Sequence, residues 1–232
     1  MSGHEAACRR VASRFHERWL RAYVWHKLRR DPVFPAAYEL LRQDETSVTD
    51  LGCGVGLLAF YLRERNCHAP VTGIDCDGRK IARARRVAEG TYPDISFLEQ
   101  DGADSVPFGG HVVLFDLLHY LLPNDQRNLL DRLAARLAFG SLLLIRDCPR
   151  EPNPRYWLTY LGERFAQLTT WNLQTPLHFS TRAEIAAPFG EEQFSRSVRS
   201  LWGRTPFNNH LFIFRRHASA TVPVEAGRSD NL

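Results

Sequence analysis

The segment Asp50-Leu51-Gly52-Cys53-Gly54-Val55-Gly56 places three glycines at alternate positions, directly behind a strand-forming run from Ser47 to Asp50 and directly ahead of a helix-forming one. Glycines at a strand-to-helix turn let the backbone approach a ligand closely, and the helix N-terminus beyond them favours a negative group such as the carboxylate of an amino acid. Asp50, closing the strand, suits an ammonium, reached directly or through water. A dinucleotide loop asks for a small residue three places after its second glycine. Leu57 stands there, Gly56 comes one position early, and Asp50 would sit poorly against a pyrophosphate. The spacing therefore points to a ligand that carries an amino-acid group and no phosphate, and ranks a hydride-transfer enzyme low. Further chemistry-bearing residues follow later strand-like runs: Asp75-Cys76, Gln100-Asp101-Gly102, Asp116-Leu117-Leu118-His119 and Arg146. His119 and His178 are the two candidates for a general base, and Arg146 is a candidate for orienting an acidic substrate.

These residues need elements to hold them. Strand-like runs at Ser47 to Leu51, Val71 to Asp75, Ile95 to Glu99, His111 to Phe115 and Ser141 to Arg146 alternate with helix-like segments at Leu57 to Arg65, Arg79 to Glu89 and Gln126 to Leu137. That order reads as parallel βαβ units with helices on both faces of one sheet. Such a sheet binds ligands at the carboxyl ends of its strands, where the glycine turn lies. Two more strands, Phe194 to Trp202 and His210 to Arg215, are joined by the turn-forming Gly203-Arg204-Thr205-Pro206 and close the sheet. In front of it, Val11, Phe15, Trp19, Tyr23 and Leu28 recur every four or five residues, predicting one amphipathic helix from Glu5 to Arg30. Asp31-Pro32 then caps a second helix running to about Gln43. After Cys148, three prolines (Pro149, Pro152, Pro154) lead into an aromatic helix with Tyr156, Trp157, Tyr160 and Phe165. We therefore expect an N-terminal helical lid over residues 1–45, one α/β domain over 46–217 with an insertion at about 149–179, and a disordered tail at 218–232.

The bulk composition agrees with one substantial core: 232 residues, 44% hydrophobic. No apolar run approaches the roughly 18–20 residues that cross a bilayer, and Met1-Ser2-Gly3-His4-Glu5 lacks the pattern of a signal peptide. The five cysteines are odd in number, without C-x-x-C or zinc-ligand spacing, so no metal is expected and free thiols in a cytoplasmic protein are. Charge is uneven: residues 1–30 carry eight Lys/Arg against two Glu, while the remainder is nearly neutral.

The run Asp50-Leu51-Gly52-Cys53-Gly54-Val55-Gly56 resembles the D/E-x-G-x-G-x-G motif of the class I S-adenosylmethionine-dependent methyltransferases, and the later acidic residues arrive in that family's order. The resemblance covers roughly residues 33–147 and the closing hairpin. It implies a doubly wound α/β fold, a mostly parallel seven-stranded sheet with a C-terminal antiparallel strand, and S-adenosylmethionine as cofactor. It also implies that Asp75 accepts the ribose hydroxyls, with Cys76 packed beside the adenosine. Asp101, with Gly102, receives the adenine amino group, and Asp116 with Leu117 lines the methionine side. Gly52, Cys53, Gly54 and Gly56 form the cradle. One turn departs from the family: the Pro-Gly-Gly expected before the fifth strand reads Phe139-Gly140-Ser141.

The same resemblance narrows the acceptor by what is missing. The segment after the fourth strand is not the Asn/Asp-Pro-Pro-Tyr/Phe of base N-methylation. There is no Pro-Cys nucleophile, and Asp147-Cys148 replaces the Asp-Asn pair of metal-assisted catechol methylation. A small hydrophobic metabolite or a carrier-tethered intermediate, methylated on oxygen, is the first expectation. The aromatic set Tyr156, Trp157, Tyr160, Phe165 and Trp171 would wall its site. The basic N-terminal helix reads as a lid, as a docking face for an acidic carrier protein, or as a contact for RNA or an anionic membrane. An RNA methyltransferase and a non-catalytic S-adenosylmethionine-binding partner protein are the competing functions.

Overall fold

The structure, a computed structural model, describes residues 3–101, 109–168, 176–203 and 205–217. Among these, seven strands form one sheet: β1 (Val48–Leu51), β2 (Val71–Asp75), β3 (Ile95–Glu99), β4 (His111–Phe115), β5 (Leu142–Asp147), β6 (Phe194–Ser200) and β7 (His210–Arg216). Their order is β3-β2-β1-β4-β5-β7-β6, with β7 antiparallel to both its neighbours and β1 to β5 parallel. The order reverses between β1 and β4, which pair in register from Val48 opposite His111 to Leu51 opposite Leu114, so the ligand crevice of such a sheet opens beyond Leu51 and Phe115. Central strands read as unbroken apolar runs because both faces are covered: every residue of Leu142–Asp147 is buried.

One face carries α4 (Leu57–Glu64) and α5 (Gly78–Ala88). The other carries α6 (Pro123–Arg136) and, after α7 (Pro154–Leu168), the short α8 (Arg182–Ala186). The stripe Leu129, Leu130, Leu133 and Leu137 is buried as its spacing predicts. α4 is unusual in burying six consecutive residues, Leu57 to Leu62. A helix apolar all round needs cover on both sides. The outer cover is supplied by α1 (Gly3–Ser13), α2 (Arg18–Arg30) and α3 (Val33–Leu41), through contacts such as Phe15 on Phe60 and Phe34 on Tyr61.

The N-terminal region departs from the single helix its periodicity predicts. The chain breaks after Ser13, where Phe15 N–H turns back to Ala12 C=O and the Phe15 carbonyl accepts from Arg21 Nε. The break shifts the helical phase. Leu20, Val24 and Leu28 become the buried stripe of α2, and Trp19 and Tyr23, which continue the earlier spacing, are left 54% and 40% exposed. No helix among the described residues is long and apolar enough to cross a membrane. All five cysteines are free thiols, and only Cys76 is exposed.

Candidate active site

A cavity of about 860 Å³ lies at the carboxyl ends of β1, β2, β4 and β5, within the size range of small-molecule sites. Asp50, Gly52, Cys53, Gly54, Asp75, Cys76, Asp101, Asp116 and Leu117 all line it. The glycine turn is built by its own backbone. The N–H groups of Gly52 and Cys53 both donate to Ile74 C=O, at 2.8 and 3.0 Å, and tie the turn to β2. Gly54 N–H donates to Asp75 Oδ2 at 2.9 Å, while Asp75 Oδ1 accepts from Asp77 N–H at 2.8 Å. Each carboxylate oxygen has a second lone pair, so Asp75 can brace the turn and still accept a ligand's hydroxyls.

Two glycines answer different demands. Gly54, at φ +57°, would point a Cβ into open space, leaving room for a ligand. Gly56, at φ +80°, would drive a Cβ to 2.5 Å from the Phe97 ring; it starts α4 and does not line the cavity. Its role is packing and chain direction. Gly102 lies outside the described residues, as do Trp171 and residues 218–232.

Asp50 is 3% exposed, and among the described residues no hydrogen bond reaches its carboxylate. Burial, with the Asp75 charge adding to it, pushes its carboxyl up to about 7. A buried anionic group without a partner, facing a cavity, is the environment an ammonium would relieve. Burial likewise raises the Cys53 thiol, so that residue packs and does not react as a thiolate.

The β4 and β5 ends carry a charge cluster that joins distant parts of the chain. Arg146, 2% exposed, pairs through Nη1 with Asp31 at 2.6 Å and through Nη2 with Asp116. Lys27 Nζ reaches the same two carboxylates, at 2.9 and 3.6 Å. Burial opposes ionisation of Asp31, yet the Arg146 and Lys27 charges prevail and hold its carboxyl far below the usual range. Asp116 adopts φ +53°, a left-handed backbone rare outside glycine; the ion pair and the Asp116 N–H to Arg146 C=O bond hold it there. Arg146, considered from sequence as an anchor for an acidic substrate, is already engaged by two acids of the chain.

Neither candidate histidine lines the cavity. The His119 ring is buried behind the wall, stacked at 5.0 Å on Phe179, with Nδ1 2.9 Å from Asp147 Oδ1. His178 is half-buried, and its backbone bridges His119 C=O and the Gln126 side chain. The wall is formed instead by residues the sequence reading passed over: Trp19, Tyr23 and Lys27 of α2, Phe34, Tyr120 and Glu163. The competing stripe Leu20, Val24 and Leu28, spaced every four residues, is the one sequence signal for the α2 residues. Tyr120 follows the motif at Asp116 and sat next to a residue already singled out. Of the aromatic helix, Tyr156 is buried against Cys148 and Phe179, and Trp157 and Phe165 face solvent. No cluster of metal-ligating side chains occurs among the described residues.

This strand order, with the glycine turn after β1 and acidic residues near the ends of β1 and β2, is a fold shared with solved methyltransferase structures. Residues 48–140 match the family described as a methyltransferase domain. The chain is similar to a trans-aconitate 2-methyltransferase of Afipia carboxidovorans, 27% identical over 65% of this chain and 56% of that protein. It is also similar to a demethylmenaquinone methyltransferase of Thermus thermophilus, 32% identical over 49% of this chain and 52% of that protein. The chain thus spans little more than half the length of these curated relatives. Among solved structures, magnesium protoporphyrin IX methyltransferase from Synechocystis with bound SAH shares the fold, with a TM-score of 0.63 at 19% identity, over 90% of this chain and 93% of that one.

Proposed function

We propose that this protein is a methyltransferase that binds S-adenosylmethionine in the cavity beyond β1 and β4 and methylates a small, largely apolar acceptor on oxygen. The observation that carries the reading is the buried, unpartnered Asp50 carboxylate at the head of a glycine turn that Asp75 braces. Asp50 would hold the ammonium of the amino-acid part and the α4 N-terminus its carboxylate. Asp75 would hold the ribose hydroxyls, Asp101 with Gly102 the adenine amino group, and Asp116 with Leu117 the methionine side. When bound, the cofactor supplies a methyl group for in-line displacement, and alignment alone is worth about 7–11 kcal/mol of the barrier. Trp19, Tyr23, Phe34, Phe115 and Tyr120 give the cavity an aromatic wall suited to an apolar acceptor. A separate groove between α1 and α2, lined by Arg9, Arg18, Arg21 and Trp25, supports docking of an acidic carrier that presents the acceptor.

The test is calorimetric titration with S-adenosylhomocysteine. The wild-type protein is expected to bind it, and Asp75→Ala to bind it about ten- to a hundredfold more weakly, the worth of one or two charge-assisted hydrogen bonds. Equal affinity in the variant would remove Asp75 from the site, and no heat with the wild-type protein would remove the cofactor assignment.

A further inference from the structure

Glu163 belongs to α7 and Tyr120 to the 3-10 turn Leu118–Tyr120 after β4, yet the two meet in the cavity wall, where Tyr120 Oη donates to Glu163 Oε2 at 2.7 Å. Behind them lies His119. Its Nε2 is buried without a hydrogen bond and stands 3.9 Å from the same Glu163 oxygen. Its Nδ1 and backbone N–H face the two oxygens of Asp147, at 2.9 and 3.2 Å, and Asp147 Oδ1 also accepts from Cys148 N–H at 2.6 Å. The order from core to cavity is thus Asp147, His119, Glu163, with the last residue in the cavity wall. Both contacts of Glu163 use Oε2, and among the described residues Oε1 carries none.

Resting on the methyltransferase reading, we infer that Glu163 is the group that binds and deprotonates the acceptor, and that the acceptor presents a phenolic hydroxyl. Tyr120 already shows how a phenol O–H seats on this carboxylate. The aromatic wall of Trp19, Tyr23 and Tyr120 accepts a flat ring. The cations at the β4 and β5 ends, Lys27 and Arg146, are engaged by Asp31 and Asp116, and the third lysine or arginine of the lining, Lys80, belongs to α5 beyond β2. At the β4 and β5 ends an acidic acceptor would therefore meet the Glu163 carboxylate with both cations already paired. In the transfer, the acceptor O–H bond breaks and its proton goes to Glu163, the oxygen forms the bond to the methyl carbon, and the carbon–sulfur bond breaks with its electron pair left on sulfur. His119 is a positioning residue: burial disfavours its charge, but Asp147 and Glu163 outweigh burial and favour the imidazolium, which faces Glu163 from behind the cavity wall.

The probes are 4-fluorophenol and 4-fluorobenzoate, followed by ¹⁹F NMR with the protein saturated in S-adenosylhomocysteine. The wild-type protein is expected to bind the phenol more tightly than the benzoate. Glu163→Gln is expected to weaken the phenol about ten- to a hundredfold, to narrow the preference over benzoate, and to leave S-adenosylhomocysteine affinity within about twofold. In histidine-labelled protein, the same variant should lower the His119 titration midpoint. Wild-type protein that ignores the phenol, or a variant that binds it unchanged, overturns the inference; failure to bind S-adenosylhomocysteine instead overturns the reading beneath it.

Discussion

Arg146→Met is expected to destabilise the protein by about 3–5 kcal/mol at neutral pH, measured by guanidinium unfolding, because breaking a buried ion pair leaves its partners charged and uncompensated. Asp31, buried at the start of α3, would keep only Lys27, and Asp116 would lose what holds its left-handed backbone. The pH dependence has a definite sign. With Arg146 present the folded-state carboxyl of Asp31 lies below its unfolded value, so its contribution is full above about pH 4 and is lost only as the pH falls through the lower folded value. In the variant burial pushes that carboxyl upward, so the gap between the two proteins is full at pH 7, begins to shrink as the pH falls through the variant's raised value, and goes on shrinking below about pH 4 as the wild-type contribution is lost. Adding Asp31→Asn to Arg146→Met should recover much of the loss. A single variant as stable as the wild type at pH 7 would show that the cluster is a surface network without energetic weight.

Asp50→Asn should have the opposite effect on the free protein. Burial, reinforced by Asp75, sets the folded-state carboxyl of Asp50 at about 7. A group raised above its unfolded value contributes stability that is present below the unfolded value, about 3.9, and is lost as the pH rises through about 7. At pH 8 the ionised form then costs on the order of 4 kcal/mol at most, and the neutral amide is expected to recover about 1–3 kcal/mol of it, allowing for its own buried polar atoms. The variant should be the more stable protein at pH 8 and nearly equal to the wild type at pH 4. It should also bind S-adenosylhomocysteine at least about tenfold more weakly, since the ammonium loses its counter-charge. Parallel unfolding at the two pH values decides the matter, and a variant less stable at both would mean that Asp50 is held by contacts within the protein. Stability given up for a binding site is a common trade.

The parts of this molecule legible from sequence are those set by short-range pattern. β1 to β5 begin and end within a residue of their apolar runs, and the glycine turn and its acidic partners fall at the cavity because a parallel sheet allows few other arrangements. What escaped is long-range or phase-dependent. Asp31 read as a helix cap, and it does accept Val33 N–H at 3.0 Å, but its second oxygen meets Arg146, 115 residues away, which no local spacing reveals. The phase break after Ser13 moved Trp19 and Tyr23 from an expected core stripe to the cavity wall. Glu163 sits among aromatic residues on a helix whose outer side is exposed, so its pairing with Tyr120, 43 residues earlier, depends on how α7 docks.

The unbroken burial of α4 means that the first forty residues are a foundation and not an accessory. A truncated chain beginning at β1 would present Phe60, Tyr61 and Leu62 to water with no polar side to turn outward. Such a fragment would retain the glycine turn and the acidic residues that follow the strands, lose the wall formed by Trp19, Tyr23 and Phe34, and be driven toward self-association by the surface that α1 to α3 conceal.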